Sequence, residues 1–115
     1  MKSRVTNYEQ YSAFSGTPSE CKHHLIFGGA LRKLADEDGL YIGLTNAEHN
    51  LSPKGTINQI HGNPAAEHLS KIAGQLAFER NYLIERQILP FDDSYDEISE
   101  EAREAFRQRY GKSFL

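Results

Sequence analysis

The residues of this chain best suited to chemistry are its histidines. All five (His23, His24, His49, His61 and His68) fall between positions 23 and 68 of 115, in the polar punctuation around expected strands. Imidazole is a base near neutral pH and a ligand for divalent metals, so such a group admits proton transfer, metal binding or both. His23 and His24 are adjacent at the start of an expected strand, where successive side chains point to opposite faces. They cannot both ligate one ion with ordinary strand geometry. Either one binds a metal while its neighbour faces a substrate, or one is structural. His49 follows the next strand on an expected helical turn. If the two strands pair antiparallel, that turn comes back close to the His23–His24 step. His61 stands near the helix-capping Asn63, where a ligand and a local structural role are equally supported. His68 reads as a surface residue.

The elements that must position these side chains can be read from the same chain. Residues 1–20 mix aromatic and β-branched residues with a turn at Ser15-Gly16-Thr17-Pro18 and read as a hairpin or extended arm. Cys21 to Phe27 reads as a strand ended by Gly28-Gly29. Ala30 to Asp38 fits one or two helical turns stopped by Gly39. Leu40 to Thr45 is the clearest strand, and Asn46 is placed to cap the turn that carries Glu48 and His49. Ser52-Pro53-Lys54-Gly55 breaks the chain again. Asn63 and Pro64 open a helix of about 20 residues with Leu69, Ile72, Ala73, Leu76 and Leu83 on one face, ended by Pro90. Ser99 is expected to cap a last helix bearing Ala102, Ala105, Phe106 and Tyr110, with Gly111 at its C-terminus. The order strand, strand, helix, helix predicts one α+β domain over residues 1–115: an arm (1–20), a site region (21–63) and C-terminal helices (64–115).

Composition narrows the class of function. No apolar run nears the ~18 residues of a membrane span, and the first residues lack the apolar stretch of a signal peptide. A soluble cytoplasmic protein without a membrane partner is therefore expected. Cys21 is the single cysteine, which excludes an internal disulfide and a four-cysteine zinc knuckle, and it reads as a packing residue rather than a nucleophile. The net charge of −3 is unevenly placed. Residues 1–90 hold nine acids and nine bases, while residues 91–115 hold seven acids and four bases. All seven of those acids lie between Asp92 and Glu104, where an exposed loop and a first helical turn would accommodate them. The body is neutral, so net charge neither supports nor excludes a polyanionic partner.

Four segments in order carry a resemblance: Lys22-His23-His24-Leu25-Ile26-Phe27-Gly28, Asp38-Gly39-Leu40-Tyr41-Ile42-Gly43-Leu44, Glu48-His49-Asn50 and Ile60-His61-Gly62-Asn63. Together they resemble small phage and prophage nucleases of the HNH, or ββα-metal (His-Me finger), endonuclease superfamily, over roughly residues 14–115. The C-terminal Phe106-Arg107-Gln108-Arg109-Tyr110-Gly111-Lys112-Ser113-Phe114-Leu115 is similar to the tail of such proteins. The resemblance implies a ββα-metal finger with added C-terminal helices. It implies His24 as general base, and His23, His49 and His61 as ligands of a divalent ion such as Mg²⁺, Mn²⁺, Ni²⁺ or Zn²⁺. The family's base-orienting asparagine falls near Leu40, which has no amide, so Asp38 or Asn63 is expected to take its place. Arg32, Lys33 and Lys54 are candidates to meet DNA phosphates.

Two functions follow as expectations. The first is a metal-dependent DNA endonuclease or nickase that hydrolyses a phosphodiester bond. The second is a catalytically degenerate module on the same scaffold that binds DNA, or a phage or host protein, as a regulator or inhibitor. A purely structural zinc site is a third, weaker reading.

Overall fold

A computed structural model of the chain describes residues 2–51 and 59–115. It is a small α+β protein. Strand β1 (Cys21–His24) pairs antiparallel with β2 (Tyr41–Leu44) in a two-stranded sheet, with Cys21 opposite Leu44, His23 opposite Ile42 and His24 opposite Tyr41. Helix α1 (Leu31–Glu37) connects the strands. A π-helical turn (Ala47–Leu51) follows β2, and then come the helices α2 (Pro64–Glu85) and α3 (Tyr95–Tyr110). Among the described residues no helix is long and apolar enough to cross a membrane.

β1 is shorter than the expected Cys21–Phe27, because its partner strand runs out. Gly39 takes a left-handed φ of 71° to leave α1, so β2 starts only after it, and the last ladder bond runs from Leu25 N–H to the Leu40 carbonyl. Beyond it, Gly28 and Gly29, also at positive φ, turn the chain into α1. Residues 2–20 form the expected arm. It doubles back through a Tyr11–Pro18 bridge and lies over β2, where Ala13 N–H donates to the Gly43 carbonyl. A Cβ at Gly43 would fall 2.4 Å from the Glu9 carbonyl oxygen, so only glycine permits that approach.

α2 opens as its sequence predicts, with Pro64 in the first turn and the Asn63 side chain accepting from Ala66 N–H. The face it turns inward differs from the expected one. Leu69 and Leu76 are more than half exposed, while Ser70, Gly74, Gln75 and Asn81 are buried. Gly74 explains the choice. A Cβ there would sit 2.6 Å from Ile26 Cγ1 and 3.0 Å from Leu25 Cβ, so the helix backbone lies directly against the end of β1, and a leucine face could not come so close. The helix ends at Glu85 rather than at Pro90. Gln87 takes a positive φ of 57°, while Ile88 N–H bonds the Leu83 carbonyl and Gln87 N–H that of Ile84, a Schellman-type stop built without glycine.

α3 starts a turn earlier than the expected cap. Ser94 precedes its first residue, Asp96 and Glu97 occupy its first turn as the helix dipole favours, and Ser99 lies inside with its Oγ buried and without a hydrogen-bond partner among the described residues. Gly111 closes the helix in the left-handed conformation. α3 packs on α2, and Phe106 and Tyr110 stack at 4.6 Å in a core with Ile26, Ala35 and Leu40. Its end is strapped to α1: Tyr110 Oη donates to Asp38 at 2.6 Å, and Arg109 pairs with Asp38 and Glu37. A second cluster (Leu25, Ile42, Leu44 and Ile60) includes the β2 residues on the His23 face of the sheet.

Candidate metal centre

Three histidines from three elements converge beside that second cluster. His23, 1% exposed, projects from β1 on the face shared with Ile42. Its Nε2 lies 2.7 Å from Ser70 Oγ on α2, and that hydroxyl donates its one hydrogen to the Leu25 carbonyl at 2.8 Å. Ser70 can then only accept from His23. This assigns the proton to His23 Nε2 and leaves a lone pair on Nδ1.

His49 stands on the π-helical turn. The turn is opened by Thr45 rather than Asn46: Thr45 Oγ1 accepts from Glu48 N–H while Glu48 Oε1 accepts from Thr45 N–H, a reciprocal capping box. Ser12 of the arm donates to the same carboxylate at 2.6 Å. His61 is held opposite by backbone bonds, since Ile60 N–H donates to the Glu48 carbonyl and His61 N–H to that of His49. On the side chain, Nδ1 of His61 faces Glu67 Oε2 at 3.3 Å, and Nε2 faces His49 Nε2 at 3.0 Å.

The donor atoms of His23, His49 and His61 lie within 4.8 Å of one another, close enough to bind a metal ion. Two nitrogens on one tetrahedral zinc, each at ~2.0–2.1 Å, are ~3.3 Å apart. The His49–His61 separation is near that value. Protonation also suits the purpose. Burial, and then the neighbouring His49, His61 and His24, push His23 down to about 3. Burial, and then His61 and Arg32, lower His49. These two imidazoles are therefore neutral at pH 7, the form that ligates a metal. Phe27 closes the group with its ring 4.7 Å from that of His61. Glu67 accepts from the nitrogen of His61 that faces away from the cluster, as outer partners of metal-bound histidines do.

His24 occupies the other face of β1, beside Tyr41, and is 8% exposed. Its Nε2 lies 2.9 Å from Asp36 Oδ1, and Arg32 Nε–H points at its Nδ1 at 3.4 Å. The hydrogen bond from His24 holds the Asp36 carboxyl below its ordinary range. The carboxylate on His24 is thus Asp36, and neither of the two expected residues reaches it. Asp38 is taken by Arg109 and Tyr110 at the end of α1, and Asn63 by its cap on α2. Arg32 and Asp36 are four residues apart on one face of a helix packed against β1. That spacing could have identified Asp36 in the sequence. Ser70 and Glu67 left no such sign.

Arg32 and Lys33 are exposed on α1, and only Arg32 touches a histidine among the described residues. Lys54 lies outside the described residues. His68 is exposed, and burial pushes the Cys21 thiol up, as expected for a packing residue. No protein-family model, curated protein or solved structure matches the chain.

Proposed function

We propose that the protein is a metal-dependent DNA endonuclease or nickase built on a ββα-metal finger of the HNH class. One observation carries this reading: three imidazoles, two of them held neutral, converge from β1, the π-helical turn and the loop before α2, while the next residue of β1 presents an imidazole held by a carboxylate. An all-imidazole set suits Zn²⁺ or Ni²⁺ better than Mg²⁺, which prefers oxygen. When bound, the ion supplies Lewis-acid charge for a phosphodiester and its leaving oxygen.

The chain's own residues do the rest. His23, held by Ser70, and His61, held by Glu67, present fixed lone pairs. Asp36 keeps the proton of His24 on Nε2, so that Nδ1 is the base that takes the proton of the attacking water, a contribution of ~10²–10⁴-fold. Arg32 now covers Nδ1. In turning toward a DNA phosphate it uncovers the base and replaces one charge-assisted contact with another.

That same contact favours a second reading. With Arg32 on Nδ1, and His24 on the opposite face of the strand from the triad, the scaffold equally serves a module that binds DNA or a protein without cutting. Supercoiled plasmid incubated with Zn²⁺, Ni²⁺, Mn²⁺ or Mg²⁺ separates the two. Relaxed circles are expected from the wild type and none from His24→Ala, with equal metal content in both. Equal cutting by both overturns His24 as base. No cutting by folded, metal-loaded wild type leaves the binding module.

A further inference from the structure

We infer that the cleft between the first half of α2 and the C-terminal tail holds a DNA backbone phosphate next to the one at the metal centre. This inference rests on the nuclease reading and supplies its substrate-positioning residues. The cleft, about 350 Å³, is lined by Pro64, Glu67, His68, Lys71, Lys112 and Phe114, with Ser113.

Its position ties it to the triad. Glu67 lines the cleft and also faces His61 Nδ1. Lys71, one helical turn further on, places its Nζ 4.7 Å from the centre of the Phe27 ring, which in turn contacts His61. The opposite wall is fixed rather than loose. Gln75, fully buried, accepts from Phe114 N–H at 2.6 Å and donates to Ser113 Oγ at 2.9 Å, so the tail is clamped to α2 and Lys112 stands over the cleft. Lys112 and Lys71 both approach the Phe114 ring, at 5.2 and 5.8 Å.

Charge supports the assignment. Five arginines (Arg4, Arg86, Arg103, Arg107 and Arg109) are paired with carboxylates, whereas among the described residues neither Lys71 nor Lys112 is. Two ammonium groups facing one cleft without a carboxylate partner among the described residues, in a chain of net charge −3, suit the monoanionic phosphodiester of a DNA backbone. The aromatic ring between them offers a stacking surface for the adjoining base or sugar.

The test uses the metal-loaded protein in a His24→Ala background, which removes the proposed base and leaves the cleft intact. Binding to a labelled DNA duplex is followed by anisotropy over a range of salt concentrations. Each phosphate contact adds about 0.9 to the slope of log affinity against log salt. The double variant Lys71→Gln/Lys112→Gln is expected to lose that one contact and reduce the slope by about one, and each single variant to lose part of it. Arg80→Gln, on α2 away from the cleft, should leave it unchanged. An unchanged slope in the double variant overturns the proposal, as does an equal loss from Arg80→Gln. Displacement of the duplex by a deoxymononucleotide at equal phosphate concentration overturns the strand assignment in favour of a free nucleotide. Plasmid cutting is read separately. Wild type that cuts while the slope is unmoved by the lysines removes the cleft alone, and a lysine-dependent slope without cutting removes the nuclease reading alone.

Discussion

The two faces of β1 treat histidine in opposite ways. On one face, His23 meets two further imidazoles and a serine, and among the described residues no carboxylate bonds its ring. On the other, His24 meets a carboxylate and a guanidinium. The first environment penalises the charged ring by burial and by like neighbours, which keeps it neutral and its lone pair available. The second surrounds the ring with full charges that fix its orientation and its tautomer. Two adjacent residues of identical chemistry are thereby prepared for different tasks, and the cause is the two-residue period of a strand.

The sharpest way to break this comparison is to delete each ring in turn and measure metal affinity by calorimetry. His23→Ala is expected to weaken Zn²⁺ binding by more than the ~10–100-fold typical of outer partners, whereas His24→Ala should leave it nearly unchanged. Equal losses from both would mean that the faces are not functionally separate. Glu67→Gln tests the outer support of the triad and should cost about 10–100-fold in Zn²⁺ affinity without unfolding the chain. An unchanged affinity would reduce Glu67 to a surface contact of His61.

The smallest expected effect is on stability in acid. The unfolded chain binds a proton at His23 near its ordinary 6.5, while the folded chain resists it down to about 3. Between those values the unfolded state holds more protons, so stability rises with pH. It is complete above about 6.5 and declines as pH falls, by up to about 1.4 kcal/mol per pH unit for this group. His49, shifted in the same direction, adds to the slope. Chemical denaturation of the metal-free protein between about pH 7 and about pH 5 reads it directly. Level stability over that interval would show that the triad accepts protons in the folded state, and that the faces differ less than their surroundings imply.

Much of the architecture was legible in advance. The strand–strand–helix–helix order, the Asn63–Pro64 start of α2 and the Gly111 stop of α3 follow from local signals, and the return of His49 toward His23 follows once the two strands pair antiparallel. Thr45 took the cap expected of Asn46 because Glu48 lies three residues beyond it and completes a reciprocal pair. Ser99 lost its expected role because α3 extends one turn further toward Ser94. The larger departure is α2. Its leucines at positions 69, 76 and 83 describe an apolar stripe, yet Leu69 and Leu76 face outward, because Ser70 and Gly74 offer β1 something the stripe cannot: a hydroxyl for His23 and room for Ile26.

What the sequence by itself determined is whatever depends on neighbours along the chain: the alternation that separates His23 from His24, the caps and glycine stops that end each element, and the imidazole chemistry itself. Only the tertiary structure decided which partners those imidazoles meet. Ser70 is 47 residues from His23 in sequence, Asp36 reaches His24 across the packing of α1 on β1, and Glu67 reaches His61 from the first turn of α2. Such contacts depend on how closely helices approach a strand. That distance is fixed by the absence of a Cβ at Gly74 and by the core at Phe106 and Tyr110, and no local pattern around the histidines encodes it.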